Sequence, residues 1–240
     1  MNKPYQLDLI IRRVPVQAAL TWLQQAWQLF KQAPLVWIQM FVTIALMGLL
    51  AQIHQLTMIA FFFLNYFLTA GFYQAVALKQ QEQSINLATL FKPLSDTVCR
   101  AVLLRLAALH LLASMPGVLL LNELQAQIGN EAVSGVTVLL LVVYQLMIWM
   151  LFAYAVAIAY FLKQQRLLPI LQASFTACWR NIQPLVLFAL IAIALTLLSI
   201  PTMLLALLVV MPLLKIAFFM SFQQLFALQV SNERDDILEV

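Results

Sequence analysis

The sequence predicts an all-α, polytopic membrane protein, with six transmembrane helices and three shorter amphipathic helices on the cytoplasmic face. Three observations carry that prediction. Of the 240 residues, 64% are hydrophobic and only 9% are charged, whereas a soluble domain carries about 25% charged residues and needs them for its polar skin. The apolar residues gather into six long runs instead of alternating, so helices and not barrel strands must satisfy the backbone in lipid. Every Lys and Arg outside those runs falls on one side of the membrane.

Taken in order, "MNKPYQLDLIIRRVP" carries positive charge but too short an apolar run for a secretory leader, and the first span is expected to act as an uncleaved anchor. A helical stripe follows: Val16, Leu20, Leu23, Trp27 and Phe30 share one side, and Gln17, Gln24, Gln25, Gln28 and Lys31 the other. It is too polar to cross a bilayer. Its expected place is the interface, with Trp22 and Trp27 as anchors at headgroup depth. Pro34 ends that helix and opens span one, Pro34–Ile53. His54–Gln55 turns the chain into span two, Leu56–Leu78.

A second stripe, Leu87, Leu90, Phe91, Leu94 and Val98, precedes span three, Ala101–Leu121. The segment "NELQAQIGNEA" reads as the outward loop, with Glu123, Glu131 and no positive charge. Span four, Val133–Leu162, contains "FAYAVAIAY", whose Ala153 and Ala157 allow close helix approach, inside the monomer or across a dimer. A third stripe, Leu168, Leu171, Phe175, Cys178, Trp179 and Ile182, places Trp179 and Arg180 as further interfacial anchors. Spans five and six, Pro184–Ile200 and Thr202–Phe226, are separated by Pro201, and an acidic tail over 229–240 closes the chain.

The unit of amphipathic helix, span out and span back thus recurs three times, over about 14–78, 84–162 and 167–228. Every unit starts on the same side, so the repeat is parallel, unlike the inverted repeats of many carriers. Lys3, Arg12, Arg13, Lys31, Lys79, Lys92, Arg100, Lys163, Arg166, Arg180 and Arg234 all lie on that side, which puts both termini in the cytoplasm. The formal charge of +4 mostly reflects this bias. It favours an anionic inner leaflet and gives no reason to invoke nucleic acid.

"LFKQAPLVW", "ILQASFTACWRNIQPL" and "MPLLKIAFFMSFQQLF" resemble the motifs of a family of six-span bacterial inner-membrane proteins of unassigned biochemical role. They are more distantly similar to the membrane-anchor domain of some glycerophosphodiester phosphodiesterases. The resemblance spans most of the chain. It implies a bacterial inner membrane and brings over no catalytic residue.

Function has to be read from the polar residues inside the spans. Lys215 lies within the last one, where a charge costs about 2.5–3.5 kcal/mol. Two readings stay open: a stem that snorkels to the surface, or a ligand site. Arg105 and His110 lie in span three, and together with Lys215 they form a candidate basic pocket for an anionic phospholipid headgroup. Arg105 is placed to snorkel, and His110 to hydrogen-bond a neighbouring helix. No Asp or Glu falls within a span, which weakens a proton- or sodium-coupled carrier. Neither histidine has a ligand-spaced partner, Cys99 and Cys178 sit on the reducing side, and no nucleophile–base or phosphate-loop pattern is present. The expectation is a non-enzymatic membrane protein without cofactor or metal that binds lipid or organises a membrane partner. The alternative is a small-anion or lipid transporter. Homo-oligomerisation stays open.

Overall fold

The computed structural model describes residues 7–129, 133–203 and 205–230. Among them, six helices are long and apolar enough to cross a membrane, so the chain is a multi-pass membrane protein. The first three helices are α1 (Ala18–Lys31), α2 (Pro34–Ala51) and α3 (Gln55–Gln80). Ala33 leaves helical space at φ −154°, and Pro34 takes the first position of α2, where a missing N–H costs nothing. His54 is extended and caps α3, its Nδ1 accepting the Leu56 N–H at 3.1 Å.

The second stripe of apolar residues does not make one helix. It forms a 3₁₀ turn, Leu87–Phe91, and the single turn α4 (Lys92–Ser95). Asp96 cuts it there. Its carboxylate accepts the N–H groups of Val98 and Cys99 and so starts α5 (Thr97–Gly129). Helix α5 also runs through much of the expected outward loop, because Glu, Leu, Gln and Ala are good helix formers and nothing interrupts them before Gly129. Glu131 lies outside the described residues.

Span four is two helices, α6 (Gly135–Phe152) and α7 (Ala155–Phe161). The cause is a hydroxyl inserted into the ladder. Ser174, on α8 (Leu167–Arg180), donates to the Met150 carbonyl at 2.9 Å and accepts the Tyr154 N–H at 3.1 Å, replacing the bond those two groups would make. Ala155, Ala157 and Ala159 are then buried against α3, α5 and α8, so the small residues serve packing within the chain.

The last hairpin is α9 (Ile182–Leu198), a 3₁₀ turn at Ile200–Thr202, and α10 (Leu207–Leu225). The turn is longer than Pro201 alone. Met203 adopts φ 51°, and the Thr202 hydroxyl accepts the Ala206 N–H at 3.2 Å. Past Leu225 the chain becomes extended. Strand β2 (Phe226–Val230) pairs antiparallel with β1 (Leu7–Ile11), Ile11 opposite Phe226 and Leu7 opposite Val230. This ribbon is the one addition to the all-α expectation. It takes residues 229 and 230 out of the expected tail, whose remainder, 231–240, lies outside the described residues.

At the end of the bundle that carries Lys31, Lys79, Lys92, Arg100, Lys163, Arg166 and Arg180, hereafter the basic end, the contacts close into a cycle. Helix α1 packs on α10, the Leu87–Phe91 turn on α3, and α8 on α6 and α7. Each short element thus rests on the return span of the preceding hairpin. The approach of the 3₁₀ turn to α3 is the tightest: a Cβ at Gly71 would lie 2.0 Å from the Leu90 carbonyl oxygen. Buried side chains concentrate in this half. On α3 they begin only at Tyr66, on α9 they end at Phe188, and on α10 they run from Ile216 to Leu225 with Pro212 ahead of them.

Candidate functional site

The three residues expected to form one basic pocket are held apart. Arg105 is exposed on the outside of α5, as a snorkelling side chain would be. His110 is built into an aromatic cage: its ring stacks on Phe152 at 4.2 Å, lies against Phe62, and its Nδ1 meets the Tyr66 hydroxyl at 2.7 Å. Lys215 is half-buried, with its Nζ 5.6 Å from the centre of the Phe72 ring. Phe72 lies roughly 80–120° around α3 from Phe62 and Tyr66, so His110 and Lys215 address different faces of that helix. The pocket of Lys215, Arg105 and His110 is therefore not assembled.

Of the four residues expected as anchors, three are exposed and one is not. Trp27 and Trp179 are largely exposed, each stacked on a phenylalanine of its own helix, Phe30 and Phe175, and Arg180 is exposed beside Trp179. Trp22 is the correction. It is fully buried between α1, α9 and α10, its ring edge-on to Phe188 and its indole N–H donating to Gln224 Oε1. Trp22 lies on the face of α1 that carries Ala18, Ala26 and Leu29, not on the stripe of Leu20 and Trp27, and small neighbours let α10 close over it.

Trp179 and Arg180 line a cleft at the basic end, with Arg13, Val14, Ile182, Gln183 and Pro184. Its volume is about 400 Å³. The buried side chain of Asn181 builds it. The carboxamide oxygen accepts the Val14 N–H at 2.9 Å, and the amide donates to the carbonyls of Arg12 and Ala177, each at 3.0 Å. The segment that follows β1 is thereby pinned across the α8–α9 junction. Arg13 Nε reaches the Arg180 carbonyl at 3.4 Å.

The cleft is strongly electropositive. Two guanidinium groups border it, those of Arg13 and Arg180. Helix α9 starts there without a side-chain cap, so the positive end of its dipole and the N–H groups of Ile182 and Gln183 lie at the cleft, while Pro184 has no N–H to add. Arginine forks and helix N-termini both suit phosphate oxygens, and an indole suits the boundary between headgroup and acyl chain. The sequence singled out Trp179 and Arg180 but read Arg13 only as part of the charge bias and passed over Asn181. Nothing in a linear reading joins positions 13 and 181.

A second charged cluster lies between α4 and the end of α7. Lys163 Nζ is 3.3 Å from Asp96 Oδ2, 3.6 Å from Cys99 Sγ and 5.5 Å from the Tyr160 ring centre. Among the described residues no three His, Cys, Asp or Glu side chains gather as metal ligands do. Comparison with protein-family models, with curated proteins and with solved structures returns no match.

Proposed function

We propose that this is a non-enzymatic protein of a bacterial inner membrane that binds anionic phospholipid at its basic, cytoplasmic end. In this reading α1 and α8 lie along the inner leaflet, and the cleft between Arg13 and Arg180 takes the lipid phosphate. The single observation that carries it is that cleft: two guanidiniums and an uncapped helix N-terminus converge beside an exposed tryptophan. The clustering of basic residues at the same end supports the orientation. A footprint of bound lipid around short helices is also what a scaffold for a membrane partner would offer.

Native mass spectrometry of the protein released from membranes containing phosphatidylglycerol tests the cleft. The double variant Arg13→Gln, Arg180→Gln is expected to retain at least threefold less anionic lipid than the wild type while keeping its neutral lipid. Equal retention would sink the reading. The orientation has its own test, with a cysteine introduced at 92 or 166. An impermeant maleimide should label it in inverted vesicles and not in intact cells. Background from the native thiols is low, because Cys99 and Cys178 are buried and burial pushes the Cys178 thiol up to about 12.

A further inference from the structure

Lys215 is left without an answer by the headgroup cleft, which lies on other elements. It sits ten residues before the end of α10, roughly 15 Å into the bundle at 1.5 Å per residue. An ammonium has three N–H donors to satisfy. Among the described residues Lys215 makes no hydrogen bond or ion pair, and its one polar contact is the face of Phe72. A ring face softens the charge but accepts no conventional hydrogen bond.

The same ring meets a second orphan. Trp37, on α2, is tilted against Phe72 with centroids 5.5 Å apart, and its indole N–H is fully buried with no acceptor. A buried donor left unpaired costs about 1–3 kcal/mol, so the Trp37 N–H needs an account, and the half-buried Lys215 ammonium meets the same ring without a hydrogen-bond acceptor. What both lack is the same thing, an acceptor, and beside an ammonium the fitting acceptor carries negative charge.

The packing shows where such a guest would extend. Lys215 marks a boundary on α10. The residues after it are mostly enclosed, and most of those before it are only partly covered. Towards the far end the enclosure runs out by stages: α3 buries no side chain before Tyr66, α9 none after Phe188, and beyond Met40 α2 buries only Ile44 and Ala51. A small hydrated anion would lose its water here with no apolar gain. A molecule that brings its own apolar tail gains on both counts.

We propose that Lys215 and Trp37 form an internal oxyanion site for an anionic amphiphile. The carboxylate or phosphate head accepts from the Lys215 ammonium and the Trp37 indole beside Phe72, and the acyl tail runs towards the loosely packed far half. Two sources share this chemistry, a long-chain fatty acid and a lysophosphatidate.

The test uses the full chain, delipidated in mild detergent and titrated separately with tritiated oleate and 1-oleoyl-lysophosphatidate. At least one probe should bind saturably, and which one binds tells carboxylate from phosphate. Lys215→Met should weaken that binding at least tenfold, Lys215→Arg should stay within threefold of wild type, and Trp37→Phe should lose severalfold. The Arg13→Gln, Arg180→Gln variant should bind the probe like wild type, so failure here is separate from failure of the headgroup cleft. A second readout leaves Lys215 in place: dibromostearate should quench tryptophan emission in the wild type, and the quenching should fall in Trp37→Phe. Saturable binding of neither probe, or equal binding by Lys215→Met, overturns the proposal.

Discussion

In the half of the bundle at the basic end, Trp22, Trp37, Phe72, Tyr154 and Phe219 are each wholly or almost wholly enclosed; in the far half, Leu49, Leu119, Leu139, Leu198 and Met203 stand mostly exposed. In water the second set would be a serious cost. In lipid it is nearly free, because acyl tails are as apolar as leucine and helix association rests on close packing and polar hooks. The basic half has such hooks in quantity. Ser174 bridges Met150 and Tyr154, Trp22 donates to Gln224, the Tyr160 hydroxyl donates to Gln74 at 3.0 Å, and Tyr154 meets Ser221 at 2.8 Å. The far half is joined mainly within hairpins, as where Gly48 faces Phe61 and Gly117 faces Tyr144. Tight specific packing therefore lies on the side that carries both the ribbon and the cleft between Arg13 and Arg180.

Glycines give the sharpest test of this contrast. A methyl at Gly71 meets backbone at 2.0 Å and cannot be relieved by a rotamer change, so Gly71→Ala should cost about 3 kcal/mol or more. At Gly48 the obstacle is the edge of the Phe61 ring at 3.1 Å, which can give by a few tenths of an ångström, and Gly48→Ala should cost less than about 1.5 kcal/mol. At Gly135 nothing lies within 4 Å, and Gly135→Ala should change stability by less than about 1 kcal/mol in either direction. Thermal unfolding of the three variants in one detergent gives the ranking. A Gly71→Ala variant as stable as Gly135→Ala would dissolve the distinction between the halves.

Next in size is the hydroxyl that splits span four. Ser174→Ala leaves the Tyr154 N–H and the Met150 carbonyl without their bridge, so the expected loss is about 1–3 kcal/mol. Two responses can be told apart by hydrogen exchange at Tyr154. Faster exchange means the break persists and the amide is orphaned. Slower exchange means α6 and α7 have joined into one helix through a restored bond to Met150. A loss of stability below about 0.5 kcal/mol with unchanged exchange would show that Ser174 does not hold the break.

These two sites also show what the sequence could and could not give. The six spans were legible because about 20 apolar residues in a row have one solution in lipid. The break at Ala153 was not, since it is caused by a serine about 20 residues further on and not by a local Gly or Pro. The second amphipathic stripe misled for the opposite reason: its spacing suits a helix through Val98, but Asp96 caps α5 more strongly than the stripe holds together. In α1 the periodicity found a real apolar stripe, Leu20 and Trp27, yet a second face of alanines around Trp22 is what docks on α10. Small residues are quiet in a hydropathy reading and decisive in a membrane-protein contact. At the cleft between Arg13 and Arg180 the same limit applies. Composition marked Trp179 and Arg180, while Arg13 comes from the other end of the chain and depends on Asn181 to be placed there.

The smallest expected effect lies at the water-exposed rim of the basic half. Lys163 and Asp96 are 3.3 Å apart, with side chains 57% and 24% exposed, so the pair itself is worth about 0–1 kcal/mol. Asp96 does a second job as the cap of α5. Desolvation pushes its carboxyl up, but the Cys99 N–H and the Lys163 ammonium outweigh that and hold it below its usual value. A carboxyl depressed in the folded state contributes stability that is present above its unfolded value, about 3.9, and is lost as pH falls through the folded one. The wild type should therefore lose stability on acidification below about pH 4, and Asp96→Asn should be flatter there because asparagine caps without titrating. At pH 7 Asp96→Asn should cost only the ion pair, and Asp96→Ala about 1 kcal/mol through the lost cap. Melting temperatures at pH 7, 5 and 3.5 separate the cases. If Asp96→Asn melts in parallel with the wild type down the whole series, this carboxylate is not what makes the rim sensitive to acid.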